Sequence, residues 1–433
     1  MVTAASCKKA WLAAAALVGV AAPSLASAQV AAFDETAYRE GLFSRQRNVS
    51  VRQRPRPEFS RVPKAVGGFM VSPTLTGELE FNDNIYATNA NVVDDTIVRI
   101  QPSIVARSNW GRHALNGFAR ANVAEYLDND QESATDWIAG ATARYDILRG
   151  AGVQAGASYE KTTESRTSSG ARSDLSGPNR FESARVFVGA SQAFARLRLS
   201  GQANYRTQRF DDNRDRTTGA VVSQGFRDRD IYVAAGRAEY AISPDTSVFF
   251  TAAANKRDGA GALAAQRDST GYDVGVGANF DLGGLARGEF SIGYLDQDYD
   301  NQFSSVNGLS ARGQIEYFPT QLISVTASVE RGVEDSPVTD AAGFLSTSAL
   351  LQVDYELLRN LIITGSASWG DDDYAGIQRQ DKRWGAALAA NYLLSRTIGL
   401  NLRYQHYDQE SEGANAGRSY DVNSVVLGLS YRF

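Results

Sequence analysis

The sequence is poor in the residues that build most enzyme sites. Its 433 residues include one cysteine, Cys7, two histidines, His113 and His406, two methionines and ten prolines. A single thiol excludes a disulfide framework and any cysteine-based metal site. There is no H-E-x-x-H and no G-x-S-x-G, so neither a zinc protease nor a serine hydrolase is signalled. Beyond residue 28 no apolar run approaches the ~18 residues of a membrane helix. The glycine-rich pieces 259–261 and 275–277 lack the strand-to-helix setting of a phosphate loop. A net charge of −5, with a pI near 5.4, speaks against nucleic acid as a partner. No enzyme and no cofactor are expected.

What is present points to the bacterial envelope. Lys8 and Lys9 precede an apolar run over 10–22, and Ala26-Ser27-Ala28 supplies small residues before Gln29. Residues 1–28 therefore read as a cleaved signal peptide, with Cys7 inside the part removed. Residues 29–66 read as a periplasmic arm. A short helix is expected over 32–44, with Asp34 as its cap. A basic, proline-punctuated stretch follows, with Arg45, Arg47, Arg52, Arg54, Arg56, Arg61 and Lys64 among Pro55, Pro57 and Pro63. Such a stretch is either a solvated leader or an arm that enters a barrel mouth or meets an acidic partner.

From Gly67 to Phe433 the chain alternates with period 2. Val425, Leu427, Leu429, Tyr431 and Phe433 interleave with Val426, Gly428, Ser430 and Arg432, and Leu197–Arg206 and Ile398–Gln405 do the same. Strands with one apolar face give this pattern. Tight turns near 109–112, 148–150, 243–246, 282–284, 318–321, 357–360 and 394–396 alternate with longer polar loops. That sorting is the mark of a transmembrane barrel, short turns on the periplasmic side and long loops outside. The mean hydropathy of −0.31 is compatible, because a barrel wets one strand face and leaves the other apolar. The expected fold is all-β: one antiparallel up-and-down barrel over 67–433, of about 18 strands, or 16 if the hairpin near 133–162 is misread.

Placing the apolar face in lipid puts Arg99, Arg107, Arg120, Arg144, Arg196, Arg198, Arg206, Arg237, Arg287, Arg312 and Arg403 in the lumen. Glu239, Glu289, Glu316, Asp354 and Glu356 join them. Two readings stay open: these charges solvate and brace a wide wall, or rings of arginine and a transverse field select solutes. Tyr145, Tyr159, Tyr240, Tyr294, Tyr317, Tyr355, Trp369 and Tyr392 fall near strand ends, where an interfacial girdle would lie. Tyr431 and Phe433 read as an assembly signal for the barrel-insertion machinery. Outer-membrane lipid and lipopolysaccharide are the other expected partners. Asp296-x-Asp298-x-Asp300 opens like a calcium loop but lacks the glycine and glutamate that complete one, so no metal site is expected. The two histidines fall at opposite ends of the barrel, too far apart to share a ligand.

The stretch Phe81-Asn82-Asp83-Asn84-Ile85-Tyr86, followed by Asp94-Asp95-Thr96 and Gln101-Pro102-Ser103, resembles the opening hairpin of the putative β-barrel porin 2 family. In that family the first strand ends in F-x-D-N-[IV]-[FY] and the second carries a proline. Members recur in proteobacteria, often encoded beside exopolysaccharide or capsule machinery. The resemblance implies an outer-membrane channel that serves as the exit for exopolysaccharide, with the polysaccharide and periplasmic export proteins as partners. A nutrient-uptake porin and a non-conducting structural or adhesion barrel are the alternatives.

Overall fold

The structure is a computed structural model that describes residues 49–433 apart from 170, 173, 301 and 302. The expected signal peptide, the expected helix over 32–44, and Arg45 and Arg47 lie outside the described residues. The barrel strands are β1 Phe69–Asn82, β2 Asp95–Ser108, β3 Ala114–Tyr126, β4 Ala134–Leu148, β5 Ala151–Thr163 and β6 Arg180–Ala193. They continue as β7 Leu197–Phe210, β8 Arg229–Ser243, β9 Thr246–Gly259, β10 Ser269–Asp281, β11 Ala286–Tyr299 and β12 Val306–Thr320. The last six are β13 Ile323–Asp335, β14 Gly343–Leu358, β15 Leu361–Tyr374, β16 Gln380–Leu393, β17 Ile398–Glu412 and β18 Tyr420–Arg432. Each pairs antiparallel with its chain neighbours, and β1 pairs with β18 from Thr74↔Arg432 to Asn82↔Ser424. The 18-stranded barrel is closed, so no edge is left to lipid.

Six strands, β7, β9, β11, β13, β15 and β17, run two to four residues further into the outer loops than the ends the alternation predicts near 208, 256, 297, 332, 371 and 408. β15 reaches Tyr374 and β17 reaches Glu412. Above the membrane both strand faces meet water or loops, so the apolar/polar pattern lapses while the hydrogen-bond ladder continues.

The alternation sorts the faces as expected. Val426 is fully buried within the barrel while Leu427 is 54% exposed on its outer wall. Tyr232 and Tyr240 on β8, and Trp384 and Tyr392 on β16, mark the two ends of the outer apolar face. Each pair is eight residues apart, roughly 26 Å along a strand at ~3.3 Å per residue. At ordinary barrel tilt this covers most of the ≈25 Å apolar band.

The family-like hairpin forms the closing seam. Asp83 accepts hydrogen bonds from the Asn423 backbone N–H and side-chain amide at 2.7 and 2.8 Å, fastening β1 to β18. Asn84 donates to the carbonyls of Thr88 and Asp421, and Ile85 and Tyr86 are buried beneath the outer loops. Pro102 has no N–H to give, and the β2–β3 ladder skips from Ile100↔Val123 to Ser103↔Arg120.

Candidate functional site: the lumen and its two mouths

The cross-strand register carries one face continuously around the barrel, so inward residues can be read strand by strand. Arg99, Arg107, Arg120, Arg144, Arg198, Arg206, Arg237, Arg287, Arg312 and Arg403 all lie on that face, as do Glu239, Glu289, Glu316, Asp354 and Glu356. Arg196 occupies the tight turn between β6 and β7, where its backbone carbonyl accepts from Ala241.

The inner charges are segregated. The β2–β7 wall is net basic, adding Arg185 to the six arginines expected there, against Asp95, Asp136, Asp146 and Glu160. The β8–β14 wall is net acidic, with Glu239, Asp273, Asp281, Glu289, Glu316, Glu330, Glu334, Asp354 and Glu356 against Arg229, Arg237, Arg257, Arg287 and Arg312.

Many of these charges are paired along the wall. Arg99 meets Glu80 at 2.9 Å, Arg144 meets Asp146 at 3.1 Å and Arg206 meets Glu160 at 3.4 Å. Arg237 meets Glu289 at 2.8 Å and lies over the Phe249 ring, and Arg287 meets Glu316 at 2.5 Å. Arg312 lies looser, 3.7 Å from Asp273 and 3.6 Å from Glu330. Among the described residues Arg107, Arg120 and Arg403 have no carboxylate partner, and all three stand on β2, β3 and β17 around the seam. At the periplasmic end of β4–β7, a cavity of about 790 Å³ opens between Arg112, Arg144, Gln154, Ser191 and Arg198.

The periplasmic mouth is entered by the arm. The Val51 amide donates to Ser324 Oγ at 3.1 Å, and Val51 is 1% exposed. Arg52 contacts Asp354 at 2.8 Å, while Arg54 and Arg56 converge on Glu356 at 3.1 and 2.9 Å. Burial draws the Arg56 guanidinium below its ordinary value, against the Glu356 carboxylate that supports it. Further out, Glu58 meets Arg359 at 2.9 Å, and Arg61 donates to the Arg432 carbonyl. Lys64–Val66 then pairs with Phe69–Val71, below the point where β18 ends.

The outer mouth is narrowed by the β13–β14 hairpin. Its alternation assigns Val333, Asp335 and Leu345 to the outer face. They are instead packed against inward residues of other strands: Val333 and Leu345 against Leu295, Tyr299 and Val306, and Asp335 against Arg229 and Arg257. This arrangement requires the hairpin tip to bend into the lumen, behind the β11–β12 hairpin. Phe344, on its other face, stacks on Tyr374 of β15 at 4.8 Å. The signal was legible: Val338, Ala341, Ala342 and Phe344 are too apolar for a solvated loop. Arg267 of the β9–β10 loop donates to the carbonyls of Ser336 and Val338 at the tip. Elsewhere over the mouth, buried pairs join loops to one another, Arg166 with Glu132 at 2.6 Å and Arg227 with Glu164 at 2.5 Å.

Among the described residues the two histidines stay apart. His113 adopts a left-handed backbone (φ +64°) in the β2–β3 turn, stacks on Tyr145 at 4.2 Å and accepts at Nδ1 from the Asp146 N–H. His406 lies on the outer face, 2.9 Å from Asn423 Oδ1. Asp296 and Asp298 lie along extended β11 rather than around a loop.

Residues 56–433 match the sequence profile described as Putative beta-barrel porin 2. The chain belongs to that family. This porin 2 protein is a porin-like channel of the Gram-negative outer membrane, closed by 18 antiparallel strands. Comparison with curated proteins finds no match. Among solved structures the porin 2 barrel is similar to OccAB3 of Acinetobacter baumannii, at 11% identity and TM-score 0.45 over 85% of this chain and 100% of that one. It is also similar to OpdO of Pseudomonas aeruginosa, at 15% identity and TM-score 0.45 over 85% and 98%. A BenF-like porin of Pseudomonas fluorescens Pf-5 matches at 12% identity and TM-score 0.44 over 84% and 99%.

Proposed function

We propose that this protein is a diffusion channel for small hydrophilic solutes, with a preference for anions. It reaches the outer membrane through the periplasm after loss of residues 1–28, and the insertion machinery places it among lipid and lipopolysaccharide. The observation that carries the reading is the arginine-rich β2–β7 wall, in which Arg107 and Arg120 have no carboxylate partner among the described residues, joined across the seam by Arg403, which has none either. In a confined, low-dielectric tube such charges draw in anions and repel cations. Both mouths are narrowed by segments tied down with buried ion pairs, which suits small solutes better than a polymer.

Planar-bilayer recording tests it. Wild-type channels are expected to favour chloride over potassium, and Arg107→Gln/Arg120→Gln to weaken that preference. The preference is expected to fade with salt, since the Debye length is about 8 Å at physiological ionic strength. A silent or cation-selective barrel overturns the reading. Export of an acidic exopolysaccharide, the reading implied by the family resemblance, requires the arm and the β13–β14 hairpin to move aside together. Loss of surface polysaccharide with unchanged small-solute permeation in a deletion strain would establish export instead.

A further inference from the structure

We infer that residues 50–61 are a resident selectivity element of the periplasmic mouth, in which Arg52, Arg54 and Arg56 reverse the local charge of the wall. This rests on the channel reading above. Asp354 and Glu356 lie on the inner face of β14, near the periplasmic end of the acid-rich wall. Uncovered, they would present two carboxylates to an entering solute, offset only by Arg359 at 3.4 Å from Glu356. The arm buries both, leaving them 2% and 5% exposed, and sets three guanidiniums over them. The patch changes from net negative to net positive.

The local chain is shaped for this contact. The Ser50 carbonyl accepts from the N–H groups of both Gln53 and Arg54 at 3.0 Å, which curls the segment. Arg56 closes the curl by donating to the Val51 carbonyl at 2.8 Å. The three arginines thereby reach one patch although they are two residues apart in sequence. The acids are oriented in turn: Thr364 donates to Asp354 at 2.7 Å, and Gln352 donates to its other oxygen at 2.7 Å. Arg56 also donates to the Arg359 carbonyl in the β14–β15 turn, and Arg396 of the β16–β17 turn donates to the Glu58 carbonyl. The arm is thus bound to the β12–β13, β14–β15 and β16–β17 turns and to the ends of β13, β14 and β18, which is more than a solvated leader requires. A confined mouth focuses the field of such a patch on passing ions.

The test uses full-length chains in planar bilayers, with heat-modifiable migration as the control for a closed barrel. Arg52→Gln/Arg54→Gln/Arg56→Gln is expected to raise conductance and to lower the chloride-over-potassium preference several-fold. Adding Asp354→Asn/Glu356→Gln to that variant is expected to restore the preference, because the uncovered acids are then gone. If the triple variant does not assemble, Arg52→Gln alone is expected to give a smaller shift in the same direction. A folded arm variant with unchanged conductance and ion preference overturns the inference. The Arg107→Gln/Arg120→Gln variant, with its arm intact, judges the wall separately, so failure of one reading is distinguishable from failure of the other.

Discussion

Asp335 lies 2.5 Å from Arg229, although β13 and β8 are five strands apart around the barrel. The contact exists because the β13–β14 hairpin leans into the lumen, and Arg257 completes the clamp from β9. Replacing Asp335 with Asn keeps the shape and removes the charge, leaving two buried guanidiniums without their counter-ion. Breaking a buried pair in this way costs about 3–5 kcal/mol where nothing can move. Here the hairpin can retreat. Asp335→Asn is therefore expected to lower the temperature of heat modification and to raise single-channel conductance. Unchanged conductance would place the hairpin outside the narrow part of the pathway.

The outer wall gives a second expectation. Leu427 faces lipid between Val425 and Tyr431, away from both ends of the apolar band. Leu427→Arg is expected to cost about 2–4 kcal/mol in the folding equilibrium measured in lipid vesicles. Arg432, an arginine that the same strand already carries on its inner face at the periplasmic end, shows that it is the face and depth that matter. A cost below about 1 kcal/mol would place Leu427 at the interface, where the penalty falls to that level.

The contrast between these residues shows what the sequence holds. Leu427 could be placed from alternation alone, because lipid on one side and water on the other impose period 2 on every crossing strand. Turn lengths likewise gave the strand count. Asp335 could not be placed, because its partners depend on a hairpin bending off the barrel wall, and bending leaves only a composition cue, the apolar residues Val338, Ala341, Ala342 and Phe344 in the loop. The arm was readable as basic and extended, but its docking on Asp354 and Glu356 joins residues some three hundred positions apart. The inward arginines were found one by one. Their separation from the acid-rich wall was legible too, because the strands of one wall in a meander are consecutive in the chain.

Acid should loosen the outer loops. Glu164 follows β5, and burial works to raise its carboxyl. The Arg227 guanidinium, with hydrogen bonds from Arg227 and Asn179, outweighs burial and holds it below the ordinary value of 4.5. A depressed folded-state value means that the pair's contribution is whole above the unfolded value. It is lost as pH falls through the lower folded one. Hydrogen exchange in loops 164–179 and 211–228 is expected to be slow at neutral pH and to quicken below about pH 4, after correction for intrinsic rates. Glu164→Gln is expected to exchange quickly already at neutral pH. Equal protection at both pH values would show that the pair does not hold these loops.

Assembly supplies the last expectation. Tyr431 and Phe433 project from the outer face of the final strand, with ring centroids 4.8 Å apart in an edge-to-face arrangement. The Phe433 N–H donates to the Pro73 carbonyl at 3.2 Å, so the chain end is hydrogen-bonded to β1 at the seam. Two demands meet in this segment. Before insertion it is expected to serve the insertion machinery as an accessible, apolar-alternating strand. After insertion it must close the barrel against β1. Tyr431→Ser/Phe433→Ser leaves the backbone ladder possible and removes only the aromatic faces. The double variant is expected to accumulate as unfolded, protease-sensitive chain in the periplasm, while Phe433→Tyr assembles normally. Refolding of the purified double variant in detergent separates the two demands, since closure needs no machinery there. Efficient refolding in detergent with failure in cells assigns the aromatic pair to recognition, and failure in both assigns it to the seam. Normal heat-modifiable barrel in the outer membrane of the double variant would show that the assembly signal lies elsewhere in the chain.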